Sequence, residues 1–401
     1  MNTFSIDRSF KNPWVWGRIL LSTQLAALFF SPALANLSEF LLILLFLFFA
    51  PVRSDFCKFF GTALGKYYLL FLISLLLGVG VAIVRETVDY GALLSWRKLL
   101  LFPFAAVLFR GQEKLKNYFL VSFLIVSILF SLASVAFWIS GDLRAIVRNS
   151  STQSVFFAAA IISGFYLAKY TSGTYSRALG WVGLFITLGG LLMVTQGRSG
   201  YLSLLIMTVI ASVLLSRSKS FSKRLLFGIT LAALAGVLMV LSPVTNQRID
   251  QAVNEFKAPL LRGENTSMGQ RKIFWVNSLK MIPDFWLFGA GTTGFGKAYE
   301  AAVSDQTGPM AMPTNDPHNQ FLRIFLEQGI LGLLVFLSFL AAAFRTGLAS
   351  ESGKLGVCVL VGWCATSVFS AHFTTFAEGR FIWIWLGVFI GSLAFNVSPR
   401  R

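Results

Sequence analysis

Charged residues are scarce in this chain of 401 residues: only 13% are charged, whereas 56% are hydrophobic and 15% are aromatic. A soluble domain could not cover so apolar an interior with polar surface, so a soluble protein is excluded. Apolar stretches of about 17 to 25 residues, the length of a membrane-spanning α-helix, recur along most of the chain. A β-barrel would instead need alternating segments of about ten residues. The composition therefore predicts an all-α polytopic membrane protein.

Cysteine and histidine are rarer still, with three and two residues. Cys57 falls in a predicted cytoplasmic segment, and Cys358 and Cys364 fall within one apolar stretch, so we expect neither a disulfide nor a zinc site. The sequence also lacks a D-x-D pair, a P-loop and any His/Cys cluster with metal-ligand spacing. It therefore signals no metal site.

The apolar pattern predicts about twelve membrane spans and one long connection. We place the spans at about 18–35, 38–52, 64–84, 98–109, 117–140, 154–170, 177–196, 198–216, 224–243, 319–344, 355–373 and 380–397. The chain thus divides into residues 1–243 with nine spans, a cap at 244–318, and residues 319–401 with three spans. Residues 18–35 also have the layout of a signal sequence, but we expect them to be retained because another span follows at once.

The net charge of +17 mostly reflects orientation. If the N-terminus is cytoplasmic, the cytoplasmic segments hold 19 of the 34 Lys and Arg residues but only 4 of the 17 Asp and Glu residues. This is the asymmetry that the positive-inside rule describes. The cap then lies on the outer side of the membrane. Since the excess charge follows the topology, we expect membrane lipids and no nucleic acid among the partners.

The cap is predicted to be ordered and partly helical. The stretches RIDQAVNEF and GQRKIFWVNSLKMI place apolar residues at helical spacing, and FGAGTTGFG after them is turn-forming. A connection of this length is usually functional or disordered. Its aromatic and aliphatic content favours an ordered cover over the membrane core.

His318 is the first candidate for chemistry. Asp316 and Pro317 suit the N-cap and the first position of a helix, which would place His318 in the first turn at the outer membrane surface. There the helix dipole and partial burial favour a neutral imidazole that can accept a proton, whereas Asp316 favours the charged form. The alternative is an interfacial histidine that only hydrogen-bonds its neighbours. His372 either lines the same cavity or only packs.

Arg323 and Glu327 lie deeper in the same predicted span. They are four residues apart, so they share a helix face and we expect them to pair. Ionisable groups at this depth are costly, and they either take part in substrate binding or form a structural ion pair. Gly329 lies three turns beyond His318 on nearly the same face, where it allows a close contact.

Basic residues predicted on the outer side form a third group. Arg198 is the only charge in the connection between spans seven and eight, and it begins span eight. Arg144 and Arg148 lie between spans five and six, and Arg271 and Lys272 lie in the cap. Guanidinium groups suit phosphate oxygens, so several of them together would bind a lipid-linked diphosphate. The alternative for each residue is contact with lipid headgroups.

Two motifs resemble signatures of the bacterial O-antigen ligases, within a superfamily that also holds O-antigen polymerases and glycoprotein O-oligosaccharyltransferases. RSGYL, from Arg198 to Leu202, has the Arg-x3-Leu pattern, and HNQFLRIFLEQG, from His318 to Gly329, has the His-x10-Gly pattern. The stretches GQRKIFW, FGAGTTGFG and PHNQFL are similar to the conserved domain of the superfamily. The layout of twelve spans with one large periplasmic loop before span ten is also similar. The resemblance is carried by spans seven to ten and the cap.

The resemblance implies a GT-C-like enzyme of the bacterial inner membrane with a periplasmic active site. Such ligases move a glycan from undecaprenyl diphosphate to a sugar hydroxyl of lipid A–core, without a metal or other cofactor. His318 would be the general base, and Arg198 and Arg271 would clamp the diphosphate. Direct attack would invert the anomeric centre, because no carboxylate nucleophile is evident. Further candidates for substrate binding are Arg148, Lys272, Arg323 and Arg144.

Three other functions stay open. An O-antigen polymerase would use the same donor with a second lipid-linked glycan as acceptor, and only the two short motifs separate it from a ligase. A glycoprotein O-oligosaccharyltransferase fits less well, because those chains tend to be longer. A transporter of lipid-linked glycans would carry charge on both sides of the midplane and often has repeated halves. Here the unusual polar residues gather at the predicted outer face.

Overall fold

The computed structural model describes residues 12–141, 145–216, 218–258 and 266–395. These parts of the chain are helical and contain no strands, which confirms the predicted all-α class. The α-helices, in chain order, are α1 (Pro13–Phe30), α2 (Pro32–Phe48), α3 (Ala50–Gly61), α4 (Ala63–Val84), α5 (Tyr90–Leu94), α6 (Leu101–Leu108), α7 (Glu113–Ile139), α8 (Ser150–Tyr170), α9 (Thr174–Met193), α10 (Arg198–Leu215), α11 (Phe221–Leu241), α12 (Pro243–Lys257), α13 (Ser267–Lys280), α14 (Ile282–Phe285), α15 (Phe295–Ala302), α16 (Gln320–Gly347), α17 (Glu351–Thr366) and α18 (Ala377–Phe389). Short 3-10 helices are Ser95–Leu100, Gly308–Ala311 and Gly391–Leu393.

Nine helical segments of the described chain are long and apolar enough to cross a membrane. A tenth results if α2 and α3, which meet at 94°, form one bent span. The first and eleventh predicted spans correspond to α1 and α17, which are outside this set, and α17 has only 16 residues. The multi-pass helical architecture is therefore confirmed, whereas the count of twelve stays a prediction.

Two helices, α8 and α18, lie in the interior of the bundle and are almost entirely buried. The centre of α8 is rich in small residues, so its backbone can approach α9 closely. A Cβ atom at Gly164 would lie 2.7 Å from the carbonyl oxygen of Gly180, which places the two backbones in direct contact. In α18 the interior is filled by aromatic rings instead, with Trp383 and Trp385 both buried.

The cap, residues 244–318, contains the two helices predicted in it. RIDQAVNEF lies within α12, and GQRKIFWVNSLK lies within α13. A small apolar core joins α13 and α15 to the first turns of α16, through Ile273, Phe274, Phe295, Tyr299 and Leu326. The cap therefore packs on the end of the membrane bundle, and we call that end the cap side.

Helix α16 is broken at Gly329, which has φ 67° and ψ −171°. The glycine-rich segment 287–296 passes against the break, and the N–H of Ala290 donates to the carbonyl of Leu326 at 2.7 Å. Such bonds satisfy backbone groups that the broken helix would otherwise leave unpaired. A Cβ atom at Gly329 would lie 2.0 Å from the carbonyl oxygen of Leu287. The close contact predicted at this glycine is confirmed, and its partner is the cap rather than another helix.

The predicted start of this helix at Asp316 was wrong. Helix α16 begins at Gln320, and the side chain of Asn319 caps it by accepting two N–H groups of the first turn, each at 3.0 Å. Asp316 instead accepts the N–H of His318 at 2.8 Å, in a turn where His318 has φ 52°. Asparagine caps a helix as well as aspartate does, so the local sequence allowed both starts. His318 consequently lies before the helix and not in its first turn.

Candidate active site

His318 lies at the junction of the cap and the membrane bundle. Its ring is partly buried and stacks on Phe274 of α13, with centroids 5.9 Å apart and planes at 18°. Burial lowers the pKa of His318, the charge of Asp316 raises it, and the charge of Arg271 lowers it, with a net lowering. The imidazole is therefore neutral near pH 7 and able to accept a proton. Burial thus favours the neutral imidazole, whereas the sequence analysis also expected a contribution from the dipole of a helix that in fact begins after His318.

Arg271 is the cation nearest to this histidine on α13. It precedes Phe274 by three residues, so both side chains lie on the same helix face. Burial and the charge of Arg198 lower the pKa of Arg271, while Glu255 and Asp316 oppose this. Within the described residues, its buried Nε atom has no hydrogen-bond partner. A buried donor of this kind is suited to an incoming anion.

Arg198 is the first residue of α10, as the sequence predicted, and its guanidinium already has a partner. The two terminal nitrogens donate to the two carboxylate oxygens of Glu255 on α12, at 2.8 and 2.9 Å. Glu255 also accepts the backbone N–H of Met268 at 3.3 Å. The hydrogen bond from Arg198 is the main reason why the pKa of Glu255 is lowered. The fork that we predicted for a diphosphate is thus occupied by a carboxylate.

The short connection before α10 explains how Arg198 is held at the cap side. A Cβ atom at Gly197 would lie 2.2 Å from the carbonyl oxygen of Ser150, at the first turn of α8. The N–H of Gly200 donates to the hydroxyl of Ser154 at 3.0 Å. Gly197 and Gly200 therefore let the first turn of α10 touch the first turn of α8. This contact fixes the position of Arg198, which lies between the two glycines in the chain.

Two other predicted binding residues bond protein groups in the structure. The ammonium of Lys272 donates to the carbonyls of Phe256 and Ala258, so it caps the C-terminal end of α12. The guanidinium of Arg148 lies over the ring of Phe376, 4.7 Å from its centroid. Arg144 lies outside the described residues.

Arg323 and Glu327 form the ion pair that their spacing predicted, with Nε and Oε1 3.2 Å apart. A terminal nitrogen of Arg323 also donates to the hydroxyl of Thr374 at 3.4 Å. The carboxylate of Glu327 is buried. The structure therefore shows the structural ion pair, and it leaves one edge of Arg323 facing the cap side.

His372, the second histidine, is fully buried beside this group. Its ring lies 6.0 Å from that of Trp363, and within the described chain neither ring nitrogen has a hydrogen-bond partner. Burial lowers its pKa, and the charges of Glu378 and Asp316 oppose this. Of the two alternatives for His372, packing is the one that the structure shows.

Glu255 and Phe274 are the site residues that the sequence did not reveal. Phe274 carried a weak signal, because it follows Arg271 by one helical turn and could have been placed on the same face. Glu255 carried none: it lies 57 positions from Arg198, and the pair forms only when α12 folds back over the start of α10. Without an alignment, such pairing is visible only in three dimensions.

The fold and these residues define a multi-pass helical membrane protein with a neutral histidine and two arginines at the junction with its cap. Residues 182–337 match the family model described as O-antigen ligase, which includes Arg198, Arg271 and His318. The match confirms the resemblance drawn from the two motifs and supports membership of the O-antigen ligase superfamily. It also supports a function of the O-antigen ligase or polymerase type.

A protein of Haemophilus influenzae, described as uncharacterized, is 25% identical over 217 residues. The aligned region is 53% of this chain and 47% of the relative, so the chain matches about half the length of this curated protein. The description of the relative names no activity, and the similarity therefore adds no function to the family match.

Proposed function

We propose that the protein is an O-antigen ligase. It transfers a glycan from undecaprenyl diphosphate to a sugar hydroxyl of lipid A–core, at the periplasmic face of the bacterial inner membrane. The observation that carries the proposal is that α13, the helix of Arg271, contacts the surroundings of both His318 and Arg198. Its Phe274 stacks on His318, and its Met268 N–H donates to Glu255, the carboxylate that holds Arg198. The family match to the same residues supports it.

The roles of these groups follow from the bonds that change. The imidazole of His318 takes the proton of the acceptor hydroxyl, whose oxygen attacks the anomeric carbon. The bond from that carbon to the diphosphate breaks, and the diphosphate leaves with the electron pair, inverting the centre. Arg271 and Arg198 stabilise the charge of the leaving group. Asp316, whose charge favours protonated His318, stabilises the imidazolium that forms.

Arg271 and Arg198 differ in the partners that they have before the donor binds. Arg271 has a buried donor that finds no partner among the described residues and can bind the diphosphate directly. Arg198 first exchanges the carboxylate of Glu255 for a phosphate oxygen. Lys272 and Arg148 support the site electrostatically, while Lys272 bonds the end of α12 and Arg148 stacks on Phe376. Arg323 is paired with Glu327 and has no assigned contact with the diphosphate.

The substitution His318→Ala tests the proposal in proteoliposomes that contain the lipid-linked donor and lipid A–core. We expect transfer to fall by about 10²- to 10⁴-fold, the usual contribution of a general base, while donor binding is retained. In the unsubstituted protein, kcat/KM should fall as the pH drops through the pKa of His318, which burial lowers from the usual histidine value. Unimpaired transfer by the variant would refute the assignment of the base.

An O-antigen polymerase is the second candidate, because the family match covers both types of function. The same purified protein separates the two. A polymerase extends the glycan when only lipid-linked repeat units are supplied, whereas a ligase needs lipid A–core. In cells, deletion of a ligase leaves lipid-linked polymer intact but removes it from lipopolysaccharide, while deletion of a polymerase leaves single repeats.

A further inference from the structure

A second polar site lies on the cap side, formed by other residues than Arg198, Arg271 and His318. It is a cavity of about 440 Å³, which we call the side cleft. Its polar and aromatic lining residues are Asp89, Tyr90, Lys297, Glu300, Asn315 and Arg323. The volume lies within the range of about 300–1,000 Å³ that is usual for small-molecule sites. In contrast, a cavity between α8, α9, α10 and α11 is lined mostly by apolar side chains such as Phe165 and Leu231, as expected for a lipid-facing gap.

The walls of the side cleft are fixed by contacts across the chain. The N–H of Asp89 donates to the hydroxyl of Thr293 at 3.1 Å, which ties the start of α5 to the glycine-rich segment. On the opposite wall, a Cβ atom at Gly296 would lie 2.6 Å from the side-chain oxygen of Asn315. The cleft is therefore formed before any ligand arrives, which lowers the entropic cost of binding.

The lining groups suit a ligand with many hydroxyl groups. The carboxylate of Glu300 can accept hydrogen bonds from hydroxyl groups, and the amide of Asn315 can both donate and accept hydrogen bonds. Tyr90 is 69% exposed at the rim, where an aromatic face can cover the apolar side of a sugar ring. Arg323 and Lys297 add donors that would also bind an acidic substituent.

The cleft lies near the proposed general base, and its lining residues come from other elements than α10 and α13, which carry Arg198 and Arg271. Asn315 precedes His318 by three residues, so their Cα atoms are at most about 11 Å apart. The charge of Asp316 between them acts on His318 and on Arg323 alike. Phe274 and Arg271 approach the same imidazole from α13. His318 thus links the two regions: it follows the cleft residue Asn315 closely in the chain, and its ring stacks on α13, the helix that carries Arg271.

We propose that the side cleft binds the terminal core sugar of the acceptor and directs its hydroxyl towards His318. This inference rests on the proposed function, and it adds the location of the acceptor and the residues that select it. The donor occupies the arginine side, the acceptor occupies the side cleft, and the proton moves at the imidazole between them. Tyr90 and Glu300 are the residues on which we expect the affinity for the acceptor to depend most.

Steady-state transfer by the full-length chain tests the inference. We expect Tyr90→Ala and Glu300→Gln each to raise the KM for lipid A–core about tenfold or more, the usual effect of losing a charged hydrogen bond or a covering ring. The KM for the lipid-linked donor should change less than about twofold. Matched controls are Tyr175→Ala and Asp305→Asn, which alter exposed residues outside the cleft. An unchanged acceptor KM, or a parallel rise of the donor KM, would overturn the inference.

Direct binding separates this inference from the proposed function. The probe is delipidated core oligosaccharide, observed by saturation-transfer NMR with the purified chain in detergent. Binding that Tyr90→Ala abolishes and Tyr175→Ala preserves supports the side cleft even if no glycan is transferred, in which case only the ligase assignment fails. If glycan is transferred and the Tyr90→Ala and Tyr175→Ala variants bind the oligosaccharide equally well, the assignment of the acceptor to the side cleft is wrong and the ligase assignment stands. Preferential binding of the lipid-linked repeat unit over core oligosaccharide would overturn the core-sugar assignment.

Discussion

Arg198 and Arg271 differ in what each offers a phosphate. Both side chains are partly buried, and the charge of Arg198 acts on Arg271. Among the described residues, however, only Arg198 of the two donates to a carboxylate. Glu255 presents two anionic oxygens to Arg198, as a phosphate group would. A diphosphate that binds both arginines must therefore displace one carboxylate. We therefore expect Glu255 to set the affinity of the site for the donor without touching the reacting atoms.

The substitution Glu255→Gln tests this competition. It keeps the shape of the side chain but removes the charge that Arg198 must release. A partly exposed ion pair contributes up to about 1 kcal/mol, so we expect the donor KM to fall by about two- to fivefold with little change in kcat. Kinetics at varied donor concentration measure this effect. Glu351→Gln, which alters an exposed pair with Lys354, is the matched control. A rise in donor KM would instead show that Glu255 holds Arg198 in its binding position.

Sequence reasoning reached the residues that carry charge in short motifs, and it missed their partners. Arg198 and His318 were visible because each opens a conspicuous apolar run, and Arg271 because it lies in an amphipathic stretch of the cap. Glu255 could not be found in this way, since its role depends on a fold-back of α12. A role of Asp89 and Tyr90 at the cap could not be found in this way either, because they meet the cap only after α4 and α5 have packed against it.

At the scale of elements, the break in α16 connects the cap to the membrane bundle. Gly329 has a backbone conformation that is essentially restricted to glycine, and the cap backbone fills the space where a Cβ atom would be. The same crossing is tight from the other side, because a Cβ atom at Gly289 would lie 2.3 Å from the carbonyl carbon of Glu327. The two glycines let the glycine-rich segment lie directly on the helix that follows His318.

The substitution Gly329→Ala should therefore destabilise the fold. We expect a loss of roughly 2–5 kcal/mol, from the strained backbone and from displacement of the cap. Thermal unfolding in detergent measures this loss as a lower Tm. Gly236→Ala in α11 is the control, because a Cβ atom there meets nothing within 4 Å. Equal Tm values for the two variants would show that the crossing bears no strain.

Helix type was predictable throughout, whereas helix ends were not. The start of α10 at Arg198 followed from the glycine before it. The helices of the cap were expected from hydrophobic spacing, but α12 begins at Pro243, ahead of the predicted stretch RIDQAVNEF. The start of α16 could not be predicted, because Asp316 and Asn319 are both good caps and the sequence cannot weigh the turn at His318 against the helix. The right-angle bend between α2 and α3 was also missed, since hydropathy reports length and not direction.

At the scale of the whole molecule, the cap side gathers everything that the proposed reaction needs. The arginines, His318 and the side cleft all lie where the cap meets the ends of α4, α10 and α16. A donor whose lipid stays in the bilayer can present its diphosphate there without crossing the membrane. The orientation of this end decides where the product forms, and the distribution of Lys and Arg predicts that it faces the periplasm.

Cysteine labelling checks this orientation in spheroplasts. A membrane-impermeant maleimide should react with an Asp305→Cys variant, because Asp305 is exposed in the cap. The native Cys57, exposed at the α3 end that we predict to be cytoplasmic, should react only after the membrane is permeabilised. Labelling of the Asp305→Cys variant in a protein that also carries Cys57→Ser shows that the signal comes from the cap. Labelling of Cys57 but not of the cap in intact spheroplasts would reverse the topology and place the site on the cytoplasmic face, where a ligase for lipid A–core could not work.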